Sequence, residues 1–471
     1  MKKSLFFAFL IAGAAGLFAC GGEEPNNGGE WVPPAPIPNE NAIDLPNHNF
    51  EDGLEHWTIK NWSNGEKTTV EVVDGEGRGD SKAAKIQQWP ENGKCCVALE
   101  RKLTGLEPDM LYRASVSIRY SDLSDGCGAI LFAGDDRQHW NSSKFTSGTK
   151  LDNWTIISFD FLSDDNGEAT IYLALGFKWD SYPNIGGRST GTVYFDNVSV
   201  VKVTDEMYCR ESKHIRFFCY PNKVTAGGTY IDKWLKEVDG MYEAYHDLVG
   251  TTPHQGRKLV ILTTQGMYYG YWALAGYPIL WGANGTAPED HFAELKAEGT
   301  ISFGLMHEIG HVFNVNGSNV DAEGGKQYYS NWNWNDEMFA NFRMHYGLEM
   351  IGAKVRMTAN GASESRLYVG GDILDMYKAD YEQTLPKGKF NDNAIHYLLA
   401  NLTKSIGWEP FKRTFREITT KPCPYSNKYD KFKYFVKTLS KHASDVHGTS
   451  YDILNDMISE SERKAVEAQL K

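Results

Sequence analysis

The stretch His307-Glu308-Ile309-Gly310-His311 constrains this chain more than any other. Two histidines four residues apart on a helix lie one above the other on the same face. Both imidazoles can then reach one Zn²⁺ at about 2.0–2.1 Å. Glu308, beside the first histidine, is placed just off such an ion, where it can take a proton from a water rather than ligate. Ile301, Phe303, Leu305, Met306, Ile309, Val312 and Phe313 surround the motif, so the spacing predicts a largely buried helix. Asn314, Asn316 and Gly317 end it.

A catalytic zinc keeps three protein ligands and one open position. One arrangement takes its third ligand from a histidine six residues after the second; Gly317 stands there and excludes it. Another uses a glutamate on a later helix, and Asn335-Asp336-Glu337-Met338-Phe339-Ala340-Asn341 fits. Between His311 and Glu337 lie 25 residues, enough for a loop and a returning helix. Asn341 is four residues further on, on the same helix face, where it can accept a hydrogen bond from a ligand histidine. The competitors are Asp321, Glu323, Asp336 and His345. The first two fall in a Gly-rich stretch that reads as loop, and Asp336 would point about 100° away from Glu337. Glu337 is the expected third ligand; its other reading is a first-turn acid that stabilises a helix start.

With 471 residues, 13% of them aromatic and 23% charged, the chain is globular in composition and has room for two or three domains. The formal charge of −13 and the lack of a basic cluster argue against nucleic acid as a partner. Met1–Cys20 reads as a targeting segment: Lys2 and Lys3, a short apolar run over 5–18, then Leu17-Phe18-Ala19-Cys20. That ending resembles a bacterial lipobox, which implies a lipid-modified Cys20 on an exported protein; Glu23-Glu24 just after it resembles the surface-export signals of some Gram-negative lipoproteins, which implies an anchor at the outer membrane or cell surface. Residues 21–46, with Pro33, Pro34, Pro36 and Pro38, read as an extended tether. Outside the cytoplasm disulfides are allowed; Cys209 and Cys219 are close enough in sequence to bridge, and Cys127 could pair with Cys95 or Cys96.

Residues 47–203 read as all-β. Strands are expected at Val97–Leu103, Leu111–Tyr120, Ala129–Ala133, Trp154–Leu162, Ala169–Phe177 and Val193–Val203, each short and bounded by turn residues. Many such strands predict a sandwich. The opening Asn49-Phe50-Glu51-Asp52-Gly53 with Trp57, and the closing Val193-Tyr194-Phe195-Asp196-Asn197-Val198-Ser199-Val200, resemble the jelly-roll carbohydrate-binding modules of bacterial polysaccharide-degrading enzymes. The resemblance implies a structural Ca²⁺ where first and last strands meet, with Glu51 and Asp196 in the matching positions; the alternative is that both simply end strands. A sugar platform needs exposed aromatic faces. Trp62, Trp89, Trp140, Trp179 and Tyr182 are candidates, with Trp140, Trp179 and Tyr182 in polar surroundings; each reads equally as a packing residue.

From 205 to 471 the character changes. Strands are expected at 214–220 and 258–263, helices at 230–248, 334–350, 391–402, 410–418, 431–439 and 451–469. Residues 271–281 read as a strand confined to a sheet edge by Pro278, and an edge can bind an extended peptide. His307, Glu308, His311 and Glu337 together resemble a gluzincin, the metallopeptidase clan that includes thermolysin. Many members carry Asp where this chain has Asn341. A narrower resemblance, to the enhancin-like, mucin-degrading metallopeptidases, rests on Ala275-Gly276-Tyr277-Pro278-Ile279, Gly407-Trp408-Glu409-Pro410-Phe411-Lys412 and residues 432–441. It implies an α+β zincin-type domain with a mostly helical C-terminal part, and O-glycosylated protein substrates.

The mechanism so implied is metal-assisted hydrolysis with Glu308 as general base. Tyr328, Tyr329 or His345 would supply the oxyanion donor, with packing as the plainer reading of each tyrosine. Two other functions stand beside it. A non-catalytic glycan-binding lipoprotein has no chemical need of Glu308. A glycoside hydrolase needs two spaced carboxylates that no motif here announces.

Overall fold

The computed structural model describes residues 42–471 apart from 63–66, 90–95, 125, 135–140, 144–145, 147, 178–188, 204–207, 220–228, 264–272, 283–286, 314–331 and 360–361. The first half is a β-sandwich. Its strands are β1 (Thr58–Asn61), β2 (Thr68–Val73), β3 (Ala83–Gln88), β4 (Val97–Leu103), β5 (Leu111–Ser121), β6 (Ala129–Ala133), β7 (Asn141–Ser142), β8 (Leu151–Leu162), β9 (Ala169–Leu175) and β10 (Gly191–Lys202). They form two five-stranded sheets, ordered β1-β4-β9-β6-β7 and β2-β3-β10-β5-β8. Every pairing is antiparallel.

Period-two alternation builds the core between the sheets. Leu131 and Leu173 point inward with Val116, Phe195 and Val200. Their neighbours Ile130, Phe132, Tyr172 and Ala174 point to the other face, where they form a second apolar cluster with Cys96, Cys127 and Trp62. Strands β6 and β9 are therefore apolar on both faces. At the start, Ala42 bridges Val201 and the Ile43 N–H donates to the Val200 carbonyl (2.9 Å). The end of the stretch read as tether is thus tied to the last sandwich strand.

The second half opens on a mixed five-stranded sheet: β11 (Tyr208–Glu211), β12 (Ile215–Cys219), β13 (Leu259–Thr263), β14 (Ala273–Leu274) and β15 (Ile279–Trp281), in the order β11-β12-β13-β15-β14. β12, β13 and β15 run parallel; β11 and β14 are antiparallel edges. The expected edge strand over 271–281 is a hairpin, with β14 alone at the edge. One face of this sheet, through Phe217, Ile261 and Trp281, packs on the main core. The other, through Phe218, Val260, Leu262 and Leu280, packs on Leu111, Leu162 and Val203 of the sandwich. The same alternation decides against a Cys209–Cys219 bridge, which the sequence left open. Cys209 lies opposite Phe218 and Cys219 opposite Tyr208, so the two sulfurs leave opposite faces.

The helices are α1 (Thr229–Val249), α2 (Ala287–Glu298), α3 (Phe303–Val312), α4 (Asp336–Ile351), α5 (Leu374–Gln383), α6 (Asp392–Ile406), α7 (Glu409–Thr419), α8 (Lys428–His447) and α9 (Glu460–Leu470), with a hairpin of β16 (Lys354–Met357) and β17 (Arg366–Val369) between α4 and α5. The expected single helix over 451–469 is split. A π turn spans Ile453–Met457, and Ser459 with Glu462 forms a capping box that starts α9 afresh. Among the described residues, no helix is long and apolar enough to cross a membrane.

Candidate metal centre

Helix α3 carries the motif. Its N-cap is Ser302, whose hydroxyl accepts from the Leu305 N–H (3.2 Å). Leu305, Met306 and Ile309 turn one side of α3 into the core. The Tyr245 hydroxyl of α1 bonds the Met306 carbonyl (2.9 Å), fixing the helix from behind. Helix α4 crosses beside it, capped by Asn335, whose side chain accepts from the Met338 N–H (3.0 Å). The crossing is close because position 310 is glycine: a Cβ there would stand 2.9 Å from the Ala340 carbonyl oxygen. The guanidinium of the buried Arg343 donates to the Gly310 carbonyl (2.8 Å), tying α4 to α3.

This crossing brings His307, His311 and Glu337 together, their ligand atoms all within 4.8 Å of one another. His307 Nε2 is 2.9 Å from His311 Nε2 and 3.1 Å from Glu337 Oε2. His311 Nε2 is 3.6 Å from Glu337 Oε1. Ligands at zinc bond lengths on a tetrahedron are about 3.3 Å apart, so these edges bracket the required size. The opposite ring nitrogens are also engaged. His307 Nδ1 lies 2.9 Å from Asn341 Oδ1, and His311 Nδ1 lies 2.9 Å from Asp336 Oδ2. Each Nδ1–H thus has an oxygen acceptor, which leaves each Nε2 as the lone-pair donor. Asp336, set aside in the sequence as pointing away from Glu337, is turned toward the other histidine, an orienting role that sequence reasoning missed.

Charge agrees with a cation site. Burial works to lower the proton affinity of His311, yet Asp336 and Glu337 lift it to about 10. Hydrogen bonds from His307 and His311 hold Glu337 well below the ordinary carboxylate range. Carboxylates this close draw positive charge onto His311, and a divalent ion would supply that charge with the ring neutral. The donor set of two imidazoles and one carboxylate therefore fits zinc.

Glu308 lies within electrostatic reach of His307, His311 and Glu337. Its Oε2 accepts from the Ala275 N–H just after β14 (2.7 Å). Burial raises its proton affinity, while His307 and His311 pull the other way. Two clefts flank the centre and share Asn393. One, of about 730 Å³, is polar, with Asn335, Asp336, Glu337 and Asn391 in its wall. The other, of about 350 Å³, touches His307 and is walled by Phe303, Met357 and Met376.

Other expected residues fare differently. His345 is only 2% exposed and packs against His396 and Trp408, so it does not serve as an oxyanion donor. Tyr328 and Tyr329 lie outside the described residues, as do Asp321, Glu323, Trp140, Trp179, Tyr182 and Cys20. Trp62 packs edge-on against Tyr172 (5.6 Å), whereas Trp89 is 41% exposed. Asp196 is buried at a bulge in β10, where it accepts from the N–H groups of Arg78 (2.8 Å) and Asn197 (2.7 Å). Burial raises its proton affinity, with the charge of Glu51 adding. Glu51 in turn accepts from the Lys82 N–H (3.0 Å). Among the described residues no third acid, His or Cys joins this pair, so a Ca²⁺ there would draw most of its six to eight oxygens from carbonyls and water.

No protein-family model matches the chain, and no curated protein matches it. Its neighbours among solved structures include carbohydrate-binding modules. One is TmCBM61 in complex with β-1,4-galactotriose, at 15% identity over 34% of this chain and 97% of that one, with a TM-score of 0.25. Another is the CBM22-1 xylan-binding domain of Paenibacillus barcinonensis Xyn10C, at 12% identity over 33% and 92%, with a TM-score of 0.24. A cyclase from Fischerella sp. is similar to the same extent, at 15% identity over 34% and 95%, with a TM-score of 0.25.

Proposed function

We propose that the chain is a zinc-dependent endopeptidase of gluzincin type that hydrolyses O-glycosylated, mucin-type proteins. The observation that carries the reading is the convergence of His307, His311 and Glu337 beside a Glu308 carboxylate fixed by the Ala275 N–H. When bound, zinc would polarise the scissile carbonyl and acidify a water. The protein's own groups do the rest. Asn341 and Asp336 hold the two imidazoles by their Nδ1 atoms. Glu308 is anchored through Oε2, which leaves Oε1 to take the proton of the attacking water and hand it to the leaving amine. The apolar cleft beside His307 suits a substrate side chain, and the amide-rich cleft beside Glu337 suits hydroxyl groups.

The glycan preference rests on the sandwich and on its two ends, which resemble a carbohydrate-binding module. A lipid on Cys20 would place the enzyme at the outer membrane or cell surface, where glycoproteins are met. The test is cleavage of a mucin-type O-glycoprotein by the lipid-free chain, with and without a zinc chelator and beside a deglycosylated substrate. Cleavage that needs zinc and glycan supports the reading. Binding of zinc with no cleavage of either substrate would overturn it.

A further inference from the structure

We propose that the sandwich helps to build the catalytic centre: Asp109 is a positioning residue for Glu308, acting through Tyr277. The inference rests on the peptidase reading above. Asp109 lies in the sandwich loop that leads into β5 and has φ 54°, a left-handed conformation that aspartate tolerates better than most residues. Its Oδ1 accepts from the Tyr277 hydroxyl (3.1 Å) and also pairs with Arg257. Its carbonyl accepts from Arg216 Nη1 (2.7 Å). The Tyr277 hydroxyl accepts in turn from Arg257 Nη2 (2.9 Å), and the guanidinium lies 4.7 Å from the centre of the tyrosine ring. Tyr277 is buried in the apolar layer between sandwich and mixed sheet.

Tyr277 belongs to the short connection between β14 and β15, which pair at Leu274–Leu280 and Ala273–Trp281. Two residues earlier in that connection the Ala275 N–H holds Glu308 Oε2 at 2.7 Å. Two residues span at most about 7 Å of chain. One end of the connection is therefore fixed on the sandwich and the other aims the carboxylate. A shift of about 1 Å in a catalytic group can cost on the order of 10²-fold in rate. Loss of the anchor would therefore be felt at Glu308, at the other end of the connection.

The test uses the full chain with Tyr277→Phe, which removes one hydroxyl and keeps the ring, and Asp109→Asn, which keeps the backbone preference and removes the charge. Two readouts are needed: hydrogen exchange of peptides covering 273–281 and 303–312, and zinc-dependent cleavage of a mucin-type O-glycoprotein. The expected result is exchange at 273–281 faster by about tenfold, with 303–312 and zinc stoichiometry unchanged, and kcat lower by about 10- to 100-fold at similar KM. Unchanged exchange at 273–281 in both variants overturns the proposal. So does faster exchange with unchanged kcat. If the unmodified chain cleaves nothing, the peptidase reading falls, and exchange alone still decides whether Asp109 sets this loop.

Discussion

Gly310 lies against Ala340 so closely that a methyl group on it would stand 2.9 Å from the Ala340 carbonyl oxygen and 3.1 Å from its Cα. Both obstacles are backbone, so they yield only if α4 moves. Gly310→Ala is expected to push α4 outward, lower stability by about 1–3 kcal/mol and weaken zinc binding. Thermal denaturation and chelator competition measure the two effects. A variant that binds zinc as tightly as the parent would show that this contact does not set the triad.

Asp336 and Asn341 each orient one imidazole. Replacing either by alanine should weaken zinc by about 10- to 100-fold while leaving the helices folded. Competition with a zinc chelator, alongside far-UV circular dichroism, separates this from unfolding. Equal affinity in Asp336→Ala and the parent would reduce its bond to His311 to a local contact.

Glu308→Gln keeps the shape of the side chain and its acceptor for the Ala275 N–H. Zinc content should stay the same and kcat fall by about 10²- to 10⁴-fold. Full activity in this variant would remove Glu308 as the base.

His254 and His291 are buried away from the triad. Burial, together with the charge of Arg257, lowers His254 to about 4, and burial alone lowers His291 to about 4. An unfolded histidine takes up its proton near pH 6.5. Between these values the unfolded chain binds more protons than the folded one. The stability held by neutral, buried histidine is therefore full above about pH 6.5 and falls as the pH drops toward about 4. Urea denaturation at about pH 7 and about pH 5 should show the loss. His291→Gln, in the cluster of Trp234, Trp281 and Phe292, should flatten the slope; an unaltered slope would place the titration elsewhere.

Strands and helices with strong patterns were legible in the sequence. Val97–Leu103 and Ala129–Ala133 begin and end where their turn residues predict. Ala83–Gln88 was not legible, because Ala-Ala-Lys-Ile-Gln-Gln carries one β-branched residue and its strand character comes from neighbours on both sides. Helix α2 was not legible, since its buried apolar residues Phe292 and Leu295 form only a narrow stripe. At the metal centre, a local motif announced His307, Glu308 and His311, and helix spacing pointed to Glu337 and Asn341. The role of Asp336 was hidden because angle on a helix wheel does not say which atom of which histidine a side chain meets. The partnership of Asp109 and Tyr277, 168 residues apart, has no sequence signature at all.

Leu111, Leu162 and Val203 of the sandwich share one buried apolar cluster with Phe218, Val260 and Leu280 of the mixed sheet, so the two halves meet through a packed seam rather than a linker. A binding module on a flexible leash raises the local concentration of substrate and samples many cleavage positions. A module seated through such a seam would act instead as a calliper. On the proposed reading, a glycan gripped by the sandwich would sit at a set distance and bearing from His307, so the spacing between that glycan and the bond to be cut would be a property of the fold.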